Sequence, residues 1–193
     1  MLKIGVIGYG GRTGDLIKGV LLELKLDVEI VAFTDLDEAA ARARMSHPRL
    51  HPETIRYYKT AREMLDSEEL DGCMIGTRCN THTSYAVEVL RRNIPLFLEK
   101  PVSTTIEDLR ALAAAGKATT AQTVVSFPLR TSGIVRKAKA IIDSGEIGEI
   151  QHVQAYNNVP YGGCYYHSWY RDESITGGLF LQKATHDLDY IQY

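Results

Sequence analysis

The stretch "LKIGVIGYGGRTGDLIKGVLLELK", Leu2 to Lys25, decides the fold. Its first part, from Leu2 to Gly8, is a short β-branched run that stops on glycines, as a buried strand does at a tight turn. Its last part spaces Leu16, Ile17, Val20, Leu21 and Leu24 at helical intervals. Strand, glycine turn and helix in that order open a nucleotide-binding βαβ unit. Gly8 and Gly10 fit the start of the dinucleotide fingerprint, and Thr13 stands where its third glycine would fall. The same residues also read as Gly8-x-x-Gly11-x-x-Gly14. In either reading glycine permits a sharp turn and lets main-chain N–H groups approach a pyrophosphate. Gly8, Gly10, Gly11, Arg12 and Thr13 are therefore the expected pyrophosphate loop.

Strands and helices keep alternating beyond it. "VEIVAFTD" (Val28 to Asp35) reads as a strand, "DEAAARARM" as a helix, "IRYY" as a weak strand, and the stretch near Ala61 to Leu65 as a short helix. The strand "GCMIG", the helix "SYAVEVLRRN", the strand "IPLFLE", the helix "TIEDLRALAAAGKA" and the strand "QTVVSF" follow. Such alternation implies parallel strands joined by right-handed crossovers. The expected class is α/β, a doubly wound Rossmann sheet, with ligands outside the C-terminal strand ends. A domain boundary is expected near Phe127 and Pro128. Residues 1–127 form the dinucleotide-binding domain, and residues 128–193 open a second, α+β domain with a helix to Asp143 and a strand "EIQHVQAY" (Glu149 to Tyr156).

Two strand ends carry charged residues. Asp35 ends the second strand, where a carboxylate can accept both ribose hydroxyls of an adenosine and repel a 2′-phosphate. Asp37 and Glu38 follow with no arginine, so NAD is the expected cofactor and NADP the less favoured one. An Asp here also reads as a helix N-cap, a role that Asp37 fits better. Arg12 can reach a phosphate and argues the other way. The strand "IPLFLE" ends on Glu99, Lys100 and Pro101 with no loop residues between. A charged group at the tip of a core strand is unfavourable unless something uses it. In a doubly wound sheet that tip points into the ligand crevice.

Composition excludes several classes. The 193 residues are 45% hydrophobic and 24% charged, with a net charge of −2, so no basic field calls for nucleic acid or an anionic membrane surface. No apolar run approaches the roughly 20 residues of a membrane-spanning helix. The N-terminus lacks the pattern of a secretory signal. Cys73, Cys79 and Cys164 match neither a zinc pattern nor a disulfide framework, so no metal is expected and a reducing cytoplasm is the expected location. His47 and His51 are spaced i,i+4, but Pro48 and Pro52 break the helix face they would need. "YYHSWYRDES" (Tyr165 to Ser174) mixes aromatic and polar groups, a composition that suits either a sugar-stacking wall or an interface loop.

The glycine loop, "GTRCNTH", "EKP", "DSGEIGEI" and "GG…HDLD" occur in that order. This ordered set resembles the glucose–fructose oxidoreductase / inositol dehydrogenase family (Gfo/Idh/MocA) from Lys3 to Tyr193. The resemblance implies an NAD(P)-dependent oxidoreductase acting on a hydroxyl or ketone of a sugar or polyol. It implies that Lys100 lies near the nicotinamide and the reacting carbon as a proton-handling group. Glu99 would hold Lys100, and Pro101, commonly cis in the family, would fix the turn. Thr77, Asn80 and His82 stand in the family's cofactor segment, with Arg78 where a proline is usual and Asn80 shifted by one. His186, after Gly177 and Gly178, stands where the family has its catalytic histidine, which takes the hydroxyl proton. Gln182 replaces the Asp the family often has four residues earlier, and Lys183 is adjacent. Arg130, Tyr166, Trp169, Arg171 and Lys183 join Lys100 and His186 as expected substrate residues. The family's second domain is larger than residues 128–193, so the chain is expected to hold only its beginning, with homo-oligomer contacts through it. A non-catalytic dinucleotide-binding or regulatory protein, and an NAD-dependent glycosidase, remain alternatives.

Overall fold

The computed structural model describes residues 1–158 and 162–193. Its N-terminal part is one parallel sheet with the strand order β3-β2-β1-β4-β5-β6. The strands are β1 (Leu2–Ile7), β2 (Val28–Thr34), β3 (Arg56–Tyr57), β4 (Gly72–Ile75), β5 (Leu96–Leu98) and β6 (Thr123–Val125). Between them run α1 (Gly11–Leu16), continued as a π-helical segment Ile17–Leu22, then α2 (Glu38–Arg44), α3 (Ala61–Ser67), α4 (His82–Arg91) and α5 (Ile106–Lys117). The order reverses between β1 and β4, the switch point at which such sheets open a crevice.

Period-2 alternation puts a different core on each face of the sheet. Val6, Phe33 and Met74 point to one face, where they pack with Ile17, Leu22 and Ala41. Ile7, Ala32, Cys73 and Ile75 point to the other, where they meet Met64, Leu65, Ala86 and Val89. All four residues of β4 are buried, as a central parallel strand covered on both faces requires. Local sequence sets the helix starts. Asp37 accepts the Ala40 N–H at 2.9 Å and caps α2. Thr60 and Glu63 form a reciprocal capping box at α3, and the Thr105 side chain accepts the Asp108 N–H at α5.

The chain divides into two compact units, Met1–Val125 and Ser126–Tyr193. The second unit holds a 3-10 turn (Pro128–Thr131), α6 (Gly133–Asp143), α7 (Gly163–His167), a 3-10 turn (Trp169–Arg171) and α8 (Glu173–Thr176). A π-helical turn (Phe180–Ala184) then leads into α9 (Thr185–Gln192). The strand expected over Glu149 to Tyr156 does not form. Residues 149–156 carry no strand assignment, and among the described residues the second unit contains no strand that could pair with them. A strand is stabilised by its ladder, and a β-branched run without a partner stays irregular. Helix α6 is capped by Ser132 yet buries none of its residues, and Ile134 stays 80% exposed.

Candidate active site

All six strands are parallel, so their C-terminal ends lie along one edge. That edge collects Gly8 after β1, Asp35 after β2, Gly76 and Thr77 after β4, and Glu99 and Lys100 after β5. Gly8 has φ +83° and donates its N–H to the Thr34 carbonyl at 2.8 Å. A Cβ there would lie 2.7 Å from Thr77 Cγ2 and 3.0 Å from the Gly76 backbone, so only glycine fits. Gly10 precedes α1 and offers no side-chain cap to its first N–H groups. Those groups are left for an anion, as a pyrophosphate loop requires.

Thr13 occupies the third glycine place of the fingerprint and is 1% exposed. In the usual pattern that glycine lets the helix approach the sheet closely. Here the space comes from the opposite side. A Cβ on Gly76 would fall 1.9 Å from Thr13 Oγ1, so the missing side chain has moved to the end of β4. Sequence reading passed over Gly76, although a glycine ending an otherwise apolar strand is a signal of close backbone approach.

Asp35 is anchored to the glycine loop. Its Oδ2 accepts the Tyr9 N–H at 2.8 Å, and its Oδ1 accepts the Asp37 N–H at 3.1 Å. With Asp37 serving as the cap of α2, Asp35 is spared that role. An ionised carboxylate has about four lone-pair sites, so each oxygen keeps one for a ribose hydroxyl. These residues fit a dinucleotide: a glycine cradle without Cβ atoms, uncapped N–H groups and a fixed carboxylate at the neighbouring strand end.

Glu99 is 7% exposed and sits opposite Arg12, whose Nε lies 3.0 Å from its Oε1. This ion pair ties the glycine loop to the end of β5. The Glu99 carboxylate thereby meets the Nε of Arg12 on another element. The Lys100–Pro101 peptide is cis, as the resemblance implied. Lys100 lies close enough for its charge to act on Cys79 and His82. Burial raises the Cys79 thiol, and Lys100 opposes that shift.

His82 opens α4 and is buried. It is 1% exposed, with Nδ1 2.7 Å from the Pro101 carbonyl and Nε2 3.2 Å from the Thr77 carbonyl. His82 thus braces the β4 and β5 loops. Burial lowers its pKa from 6.5, while the two carbonyls act in the opposite direction. A depressed histidine pKa gives stability that is complete above the unfolded value and lost as pH falls through 6.5 toward the folded value. The urea midpoint should therefore drop between pH 7 and pH 5 more steeply in the parent than in His82→Gln. Parallel pH profiles for the two proteins would remove this role from His82. Thr77 bonds through its hydroxyl to Thr81 Oγ1 at 2.8 Å, and Asn80 is exposed in the 3-10 turn Cys79–Thr81.

The second unit distributes its expected residues differently. Arg130 is bound by Asp189, with Nε 2.7 Å from Oδ2, and its guanidinium lies 5.1 Å from the Tyr193 ring centre. Arg130, an expected substrate residue, thus carries an ion pair within the second unit. The His186 ring meets Phe127 edge-on at 5.9 Å, and Gln182 is buried in the π-helical turn before α9. Trp169 stacks on Tyr170 at 4.0 Å. Tyr166 and Arg171 line an open cleft of about 590 Å³, and the Lys183 ammonium lies 5.2 Å from the ring centre of Tyr165 on its wall.

Comparison with known proteins gives concordant matches. The model of the family described as an oxidoreductase family with an NAD-binding Rossmann fold (GFO_IDH_MocA) matches residues 2–127. The GFO/IDH/MocA C-terminal domain matches residues 135–193. Inositol 2-dehydrogenase of Ralstonia nicotianae is 27% identical over 193 residues, 100% of this chain and 54% of that protein. The oxidoreductase YteT of Bacillus subtilis is 31% identical over 133 residues, 68% of this chain and 31% of that protein. The crystal structure of myo-inositol 2-dehydrogenase from Lactobacillus plantarum superposes with a TM-score of 0.85 at 25% identity, covering 99% of this chain and 55% of that one. The chain spans about half the length, or less, of the curated relatives it matches.

Proposed function

Because the chain belongs to the GFO/IDH/MocA oxidoreductase family and carries its NAD-binding Rossmann fold, we propose that it serves an NAD-dependent dehydrogenase of a sugar or polyol hydroxyl. The observation that carries this reading is the single sheet edge that gathers the glycine cradle, Asp35 and the Glu99-Lys100-Pro101 tip. Gly8, Gly10 and Gly11 hold the pyrophosphate, and Asp35 holds the adenosine ribose. NAD, when bound, supplies the hydride acceptor. Lys100 hydrogen-bonds the reacting oxygen, and His186 takes the hydroxyl proton as hydride leaves carbon. The Glu99 N–H and His82 fix the main chain on either side of Lys100. Relatives named inositol 2-dehydrogenases support a polyol as substrate.

The test is NADH production over a panel of sugars and polyols. It uses a chain extended to the length of its relatives. NADH formed with at least one member supports the reading. Tight NAD binding without NADH from any member points to a non-catalytic binding protein. Release of an aglycone with no net NADH points to a glycosidase.

Cofactor choice is a separate expectation. Asp35 is held at the ribose position by the Tyr9 N–H, and Arg12 is engaged by Glu99, so NAD binds more tightly than NADP. Titration calorimetry with both cofactors decides it, and NADP binding as tight as NAD would reject the assignment of Asp35.

Association through the second unit is part of the same reading. Ile134, Ile147, Phe180 and Leu188 are exposed apolar side chains there, which supports contact with a second copy. No helix among the described residues is long and apolar enough to cross a membrane. The three cysteines are free thiols, which supports a reducing cytoplasm.

A further inference from the structure

We propose that the cleft of the second unit binds the anionic group, carboxylate or phosphate, of a carbohydrate substrate; the proposal rests on the dehydrogenase reading and narrows its substrate class. The cleft measures about 590 Å³ and lies wholly within the second unit, lined by Tyr165, Tyr166, Tyr170, Arg171, Glu173 and Thr176 among others. That volume lies within the roughly 300–1,000 Å³ of small-molecule sites.

Its walls combine two chemistries. The first is a set of aromatic rings held rigid by one another. Tyr165 and Tyr170 meet edge to face at 5.3 Å, and Trp169 backs Tyr170 in a stack at 4.0 Å. Rings fixed in this way offer flat faces to the C–H side of a pyranose at little entropic loss. The second is positive charge. Arg171 lines the cleft, and the Lys183 ammonium lies 5.2 Å from the centre of the Tyr165 ring. Among the described residues, neither Arg171 nor Lys183 lies within ion-pair distance of a carboxylate, whereas Arg12, Arg42, Arg56, Arg62, Arg92 and Arg130 all do.

The sequence points the same way. Lys183 adjoins the neutral Gln182. Lys183 therefore gives this short segment a positive charge with no acid directly beside it. Among the described residues, Glu173 is the one carboxylate in the lining, beside Arg171 in the lining and Lys183 against the Tyr165 ring. A neutral polyol does not need two cations. An anion gains a planar guanidinium fork from Arg171 and a point charge from Lys183.

Titration calorimetry on the 193-residue chain, with NAD present, compares glucuronate, glucose 6-phosphate and glucose. At least one of the two anions should bind roughly 10- to 100-fold more tightly than glucose, the worth of a charge-assisted contact. The tighter of the two identifies the anion as carboxylate or phosphate. Arg171→Gln and Lys183→Gln should each reduce that preference, and Lys183→Arg should retain most of it. NAD affinity, carried by the first unit, should stay at the parent value in every variant. Equal affinity for all three ligands, no binding of any, or a preference that survives Arg171→Gln combined with Lys183→Gln overturns the proposal. The outcome is separable from the dehydrogenase reading. NADH formed from neutral polyols alone rejects the anion site and retains the dehydrogenase. Anion binding without NADH from any substrate rejects the dehydrogenase and retains the site.

Discussion

Lys100→Met should lower turnover by roughly 10²–10⁴-fold while NAD affinity remains near the parent value. The range is the usual worth of a group positioned to handle a proton in the transition state. The substitution keeps the aliphatic stem and removes only the ammonium, so packing should survive. The main chain on either side is held independently of that ammonium. The Glu99 N–H donates to the Ile75 carbonyl at 3.0 Å, and His82 holds the Pro101 carbonyl at 2.7 Å. The elements assigned to NAD, the glycine loop and Asp35, are fastened to each other by the Tyr9 N–H. Cofactor binding and chemistry should therefore separate in this mutant. Steady-state NADH production and NAD calorimetry, on a chain extended to its relatives' length, read the two quantities. Turnover within a few-fold of the parent would make Lys100 a structural strand end. His186→Ala should follow the same pattern.

Gly76→Ala should destabilise the first unit by about 1–3 kcal/mol, the range for overpacking a tight interior. The added Cβ would lie 1.9 Å from Thr13 Oγ1 and 3.3 Å from Thr13 Cβ. Thr13 is 1% exposed and sits in the first turns of α1, so it cannot swing into solvent. Relief requires α1 to move away from the sheet, which carries the glycine loop with it. NAD affinity should fall together with the urea midpoint. Thr13→Gly on the same background removes the obstructing side chain and should restore most of the loss. The roughly 1 kcal/mol that a glycine costs in a helix remains. A double-mutant cycle measures the coupling. If Gly76→Ala unfolds at the parent's midpoint, or if the two substitutions are simply additive, the Thr13–Gly76 contact is not what requires the glycine.

Much of the first unit was legible because its determinants are local. A β-branched run that stops on Gly8, an apolar period of helical spacing, and Asp37, Thr60 and Thr105 at the helix starts each act within one or two turns of chain. Alternation along β1, β2 and β4 divided the two cores without reference to any distant residue. These signals sufficed for a doubly wound sheet with the glycine loop, Asp35 and Lys100 at strand ends.

The partners of those residues were decided only in three dimensions. Arg12 meets Glu99 across 87 positions of sequence, and His82 faces carbonyls of two different loops. Thr13 in the helix and Gly76 after β4 share one space that neither segment discloses alone. Arg130 read as a substrate cation because charge is visible in sequence and its partner, Asp189, is not. The run from Glu149 to Tyr156 has the composition of a strand and no ladder to join. Capping, turning and periodicity are properties of neighbouring residues, so sequence alone determined them. Ion pairs, shared volume and strand pairing depend on which distant segments meet, and the tertiary structure alone decides that.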